Sequence, residues 1–165
     1  MSGAFLFGKL PALGDFICRG MTAAQRNAWD SRCTAALADV SRRGGEDVAA
    51  LLEATPPHGF LLAPTADEPF WQLGCAVPSC DRVGRYYLLV LGATSEAGWG
   101  EEWRPVAGRL EPCLRAAITG GLDAEAVLAM IGNALPSGKA DDIETMAGWR
   151  TDWIGAAPVM NGKDG

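Results

Sequence analysis

Two short stretches hold most of the residues whose types and spacing could do chemistry. The first is Lys9-Leu10-Pro11-Ala12-Leu13-Gly14-Asp15-Phe16. The second is Pro78-Ser79-Cys80-Asp81-Arg82-Val83-Gly84-Arg85-Tyr86-Tyr87. They supply two carboxylates, three cations and two candidate nucleophiles, Ser79 and Cys80. A hydrolase needs such a nucleophile within reach of a base, and a group that orients the base. The one histidine, His58, follows Pro56-Pro57, a position that reads as a solvent-exposed turn. Asp15 and Asp81 could form an acid–base pair, but Lys9, Arg19, Arg82 and Arg85 lie in or beside the same stretches. Mixed charges more often neutralise one another than build a carboxylate dyad. Asp15 and Asp81 are therefore expected to pair with Lys9, Arg82 or Arg85 and to tie the two stretches together, leaving one arginine over. Gly3, Gly8 and Gly14 lack phosphate-loop spacing, and no helix starts directly after them. Catalysis is not expected; a small Ser/Cys hydrolase using Ser79 or Cys80 with His58 stands as the lesser alternative.

The cysteines argue in the same direction. They sit at 18, 33, 75, 80 and 113, an odd count with no CxxC. Cys33 falls on the apolar face of a helix, and Cys75 alternates with Trp71, Leu73 and Val77. Free cysteine in such places behaves as a small hydrophobe. Cys75 and Cys80 could hold a metal only with distant help, so no metal or other cofactor is expected.

The elements that must position these stretches can be read from periodicity. Ala4–Phe7 and Gly59–Ala63 are short apolar runs that read as strands, as do Phe70–Val77 and Tyr86–Leu91 on either side of the second stretch. Thr22-Ala23-Ala24-Gln25 has the form of a capping box. Trp29, Cys33, Ala36, Leu37 and Val40 then mark one helical face up to Gly44-Gly45. A short helix over 46–54 stops at Pro56-Pro57. A further helix carries Trp99, Trp103, Val106, Leu110 and Leu114, with a kink or break expected near 111–113, where Pro112 interrupts it. Asp123 caps another helix, striped by Val127, Leu128, Ile131 and Leu135. A last helix could start at Asp141 and carry Met146, Trp149 and Trp153. The fold expected is α/β of the α+β type: a mostly antiparallel sheet of about four or five strands with helices on both faces. A single domain over 1–156 is expected, with 157–165 as a disordered tail.

Composition narrows the partners. The apolar share is 48% and the charged share 21%, an ordinary globular balance. At 165 residues the chain can bury about 70% of its unfolded surface. Net charge is −6 and the pI about 4.7. Nucleic acid and anionic membrane both call for a basic footprint, so neither is the expected main partner. Local basic spots remain at Arg42-Arg43 and at Arg82 with Arg85. No apolar run reaches the ~20 residues of a membrane span, and no basic region precedes the first apolar run, so neither insertion nor export is expected. Unpaired cysteines then fit a reducing cytoplasm.

GKLPxxGDF at 8–16 and PSxDRxGRYY at 78–87, in this order, resemble the TagF (ImpM) family of type VI secretion-associated proteins. The resemblance covers residues 3–92, and extends to the later helices by pattern alone. It implies a bacterial accessory regulator that acts post-translationally, repressing the secretion machine through contact with a component such as its forkhead-associated scaffold protein. It singles out Lys9, Pro11, Gly14, Asp15, Phe16, Ser79, Asp81, Arg82, Gly84, Arg85 and Tyr86 as motif or interaction residues. It also implies a Trp-rich strand segment near the C-terminus. Trp149 and Trp153 lie there without that motif, so the sheet is expected to lack a strand or to have the tail fill its place. A self-associating structural subunit is the alternative reading, and homo-oligomerisation is left open.

Overall fold

The computed structural model describes residues 3–44, 47–96 and 103–134. The chain forms strands β1 (Gly3–Lys9) and β2 (Phe16–Arg19), then helices α1 (Ala23–Gly44) and α2 (Val48–Glu53). Strands β3 (His58–Leu62), β4 (Trp71–Cys80) and β5 (Tyr86–Ser95) follow. Helices α3 (Trp103–Thr119) and α4 (Ala124–Ala134) complete it. The five strands make one sheet in the order β2-β1-β5-β4-β3, and every neighbouring pair is antiparallel. The fold is thus α+β with helices on both faces, as the periodicity implied. The last expected helix, with Trp149 and Trp153, the tail beyond it, and Trp99 lie outside the described residues.

Two hydrophobic layers explain why the central strands lack polar alternation. One face of the sheet, with Leu6, Leu73, Cys75, Leu89 and Leu91, packs under Val106, Leu110 and Leu114 of α3 and Val127 and Ile131 of α4. The other, with Phe5, Phe7, Phe60, Leu88 and Val90, packs under Trp29, Cys33 and Val40 of α1 and Leu52 of α2. Strand β5 lies in the middle and is covered twice, so Leu88–Leu91 are fully buried.

The helix ends follow local chemistry. The Gln25 amide donates to Thr22 Oγ1 at 3.2 Å, and the Thr22 amide donates to Gln25 Oε1 at 2.9 Å, so the capping box is formed. The Ala126 amide donates to Asp123 Oδ1 at 2.9 Å and caps α4. Two expectations change. Helix α3 runs unbroken from Trp103 to Thr119 with Pro112 inside it. The proline ring crowds the carbonyl four residues back, and that residue is Gly108, which has no side chain to add to the crowding. Strand β4 continues through Pro78, Ser79 and Cys80, which the sequence places in a loop. Strand β3 starts only at His58, opposite Ala76. Pro56 and Pro57 have no N–H to extend that ladder, so the β4 edge beyond Val77 has no β3 partner.

A buried polar network that the sequence reading missed fixes the stretch between β3 and β4 to α1. Arg32 grips Glu68 with two bonds, at 3.3 and 2.7 Å. Glu68 accepts from Gln72 Nε2 at 2.8 Å, and Gln72 Oε1 accepts from Trp29 Nε1 at 2.7 Å. Glu68 and Gln72 are buried, and each finds its partners there. Arg32 and Glu68 are 36 residues apart in sequence and meet only through the tertiary fold, so no local pattern announces the pair.

Candidate functional site

Three strand exits meet at one end of the sheet: β1 at Lys9, the start of β2 at Phe16, and the β4–β5 turn at 81–85. Gly8 begins the arrangement. Its φ is +124°, and a Cβ there would stand 2.0 Å from the Leu88 carbonyl oxygen. Only glycine fits, and the chain turns so that Lys9 reaches inward. The Lys9 ammonium stands 3.0 Å from Asp81 Oδ2, with both side chains buried. It also lies over the Phe16 and Tyr87 rings, at 4.9 and 5.9 Å from their centroids.

Asp81 organises its own turn as well. Its Oδ1 accepts the amides of Val83 and Arg85 at 3.1 and 3.0 Å, and its Oδ2 accepts Arg85 Nε at 2.7 Å. The Gly84 amide donates to the Asp81 carbonyl, and Gly84 takes φ +84° to close the turn. Burial pushes the Asp81 carboxyl up, but the Arg85 amide, Lys9 and the Arg85 side chain outweigh it. The carboxyl is held far below the usual carboxylate range.

Three further bonds join the two motifs, and a fourth closes the first motif on itself. Ser79 Oγ donates to the Lys9 carbonyl at 2.8 Å, and the Arg82 amide donates to the Leu13 carbonyl at 2.9 Å. Arg85 donates to the Gly14 carbonyl at 3.3 Å, and the Leu13 amide donates to Leu10 O at 3.0 Å across the Pro11 turn. The Arg82 guanidinium lies against Gly14, where a Cβ would meet it at 3.0 Å. The expected proximity of the two stretches is therefore found, but one expected role moves. Asp15 is exposed and caps the Phe16 amide at 2.7 Å; among the described residues it makes no ion pair. The buried carboxylate is Asp81 alone. Arg85 is its committed partner, and Arg82 is the arginine left over, with no ion pair among the described residues.

Around this knot three large apolar side chains are exposed beside Asp15, Arg82 and Arg85. Phe16 is 51% exposed, Val83 72% and Tyr86 41%, and they share this end of the sheet. The Phe16 ring stands edge-on to Tyr87 at 4.8 Å, and the Tyr87 hydroxyl donates to Asp30 Oδ1 at 2.7 Å, which anchors the platform to α1. Beside Tyr86 a cleft of about 370 Å³ opens at the unpartnered part of β4. Leu52, Pro57, Val77, Pro78 and Ile118 give it apolar walls, and Glu111 bonded to Arg115 lies on the α3 side.

The groups of the hydrolase reading are not gathered. The Ser79 hydroxyl is engaged by the Lys9 carbonyl. His58 is buried, not an exposed turn residue as expected, because β3 begins with it. It stands opposite Ala76, three positions and roughly 10 Å along β4 from Ser79. Among the described residues no cluster of three or more His, Cys, Asp or Glu could hold a metal ion. The buried thiols are poor nucleophiles: burial pushes Cys33 up to about 12 and raises Cys75 and Cys113 as well. The Arg42-Arg43 spot is offset by Asp39, which both arginines contact. Among the described residues no helix is long and apolar enough to cross a membrane.

Comparisons with known proteins agree with this geometry. A crystal structure of PA0076 from Pseudomonas aeruginosa PAO1 superposes with a TM-score of 0.67 at 23% identity, over 87% of this chain. The match spans 66% of that longer chain, and at this identity it speaks for the fold. No curated protein matches the chain. The model of the TagF N-terminal domain, type VI secretion system-associated, matches residues 5–133, which takes in both motifs and all nine elements but the first residues of β1 and the last of α4. The chain therefore belongs to the type VI secretion-associated TagF family, through that family's N-terminal domain.

Proposed function

We propose that this protein is a non-catalytic, cytoplasmic regulator of a type VI secretion system. It acts after translation by binding a component of the machine, such as its forkhead-associated scaffold protein. One observation carries the non-catalytic part of the reading. Of the motif groups able to do chemistry, Lys9, Ser79, Asp81 and Arg85 are spent on one another and on backbone carbonyls, and Cys80 lies four positions along β4 from Ala76, the residue opposite His58. What the motifs present outward is three apolar side chains with Arg82, Asp15 and the outer part of Arg85 around them, which is the composition of an interface rather than of a reaction centre. Family membership supplies the machine.

The test is genetic. Loss of the gene should raise secretion through the system while transcript levels of its components stay unchanged, and overproduction should suppress secretion. Secretion that is indifferent to both changes would remove the reading. A turnover assay on ester and amide substrates adds a second check, since measurable hydrolysis lost in Ser79→Ala would restore the hydrolase alternative.

A further inference from the structure

We propose that the end of the sheet formed by Phe16, Val83 and Tyr86, with Arg82 among them, docks an acidic segment of a partner protein, and that an apolar side chain of this segment enters the cleft beside Tyr86. This rests on the regulatory reading and names the chemistry of its contact.

Charge gives the first argument. The protein carries −6 overall. At the turn Lys9 cancels Asp81, and the remaining charges are Arg82 and Arg85 against Asp15. In the cleft wall Arg115 is bonded to Glu111 and Glu53 adds a carboxylate on the α2 side, so the positive spot is confined to the turn and the cleft is left to the apolar side chain. A locally positive spot on an acidic protein attracts an acidic partner and holds off basic ones. Arg85 is tied to Asp81, so Arg82 is the cation with its donors to give. Arginine is also a common anchor of interfaces.

Exposed carbon gives the second. Among the described residues four large hydrophobic side chains are exposed, and three of them, Phe16, Val83 and Tyr86, are here. The platform under them is rigid. Asp81 fixes the turn backbone through two amides, and the Arg82 amide is bonded to Leu13. A preordered loop loses little entropy on binding.

The cleft gives the third. Its volume of about 370 Å³ lies at the low end of ligand-pocket sizes, ~300–1,000 Å³. Tyr86 belongs both to its lining and to the exposed surface, so the two are continuous. The cleft lies along a strand edge, yet Pro57 and Pro78 line it and lack amide donors. Strand addition is blocked by those prolines, and the cleft is suited to a side chain instead.

The test places a photo-crosslinking amino acid at Val83, and for control at exposed Ala38 on α1, in the full chain inside cells that run the secretion system. Adducts are mapped by mass spectrometry. The expected result is a Val83 adduct to a segment with net negative charge and at least one large apolar residue, with none from Ala38. Arg82→Glu should lower the yield on the order of tenfold, and Val83→Asp in the recombinant protein should leave circular dichroism unchanged. Adducts to a neutral or basic segment, to a second copy of this chain, or from Ala38 alone would overturn the proposal, as would no adduct at all. The secretion assay reads the regulatory role separately, so regulation without a Val83 adduct rejects this docking face and leaves the role standing.

Discussion

Lys9 Nζ and Asp81 Oδ2 lie 3.0 Å apart across 72 residues of sequence, and both side chains are buried. The pair locks the first motif onto the second, and Arg85 closes it from the solvent side. A buried pair of this kind contributes little net stability compared with an apolar replacement, but removing one partner strands the other.

Asp81→Ala should therefore lower the melting temperature, on the order of 10 °C for a chain of this size, because Lys9 would remain buried without its carboxylate. Asp15→Ala should change it little, since Asp15 is exposed and bonds only the next amide. Differential scanning calorimetry of both variants checks this. The sequence alone does not separate the two effects, because Asp15 and Asp81 both read there as paired carboxylates.

The Asp81 carboxyl has a depressed folded-state pKa, so the unfolded chain binds its proton first as pH falls. The stability it contributes is fully present at neutral pH. It is lost as pH drops below about 4, the unfolded carboxylate range, toward the lower folded value. Urea unfolding between pH 6 and pH 2.5 should show this decline, and Asp81→Asn should flatten it. An identical slope in the variant would exclude Asp81 as its source.

The two arginines of the second motif should behave differently. Arg82→Glu should keep stability within about 0.5 kcal/mol, as for an exposed charge. Arg85→Glu places a second carboxylate beside Asp81 and should lower the melting temperature by several degrees. The partner-binding test is therefore clean at Arg82 and confounded at Arg85. Thermal melts of the single variants would decide between them.

Gln72→Leu should cost ~1–3 kcal/mol, because the Trp29 indole N–H and one face of Glu68 lose their buried partner. Denaturant titration followed by tryptophan fluorescence measures it directly.

Native thiol titration should distinguish the cysteines. Cys33, Cys75 and Cys113 are buried with raised pKa values, so they should stay unreactive toward Ellman's reagent at pH 8, while Cys18 and Cys80 are half-buried and should react first. Denaturant should release all five.

Local patterns carried much of the fold. The Thr22–Gln25 box, the Trp29–Val40 stripe and the Asp123 cap each depend on neighbours within one or two turns, so the sequence determined α1 and α4 to within a residue at their starts. Unalternated apolar runs likewise announced β1 and β5 as doubly covered strands, and the run before the second motif announced β4 as a strand. The motif spacing identified the family and named the two segments that meet. What it could not decide was which charges pair. Asp15 and Asp81 look alike in sequence, and their fates differ because only Asp81 sits where β1 delivers Lys9 past the bend at Gly8. Strand β2 was missed for a related reason: four residues at a sheet edge bury little and show no clear period. His58 read as a turn because its prolines did, yet it is buried as the first residue of β3, a consequence of its pairing with Ala76. Burial and ion pairing belong to contacts between distant segments, and those are set by the sheet order, which only the tertiary structure supplies.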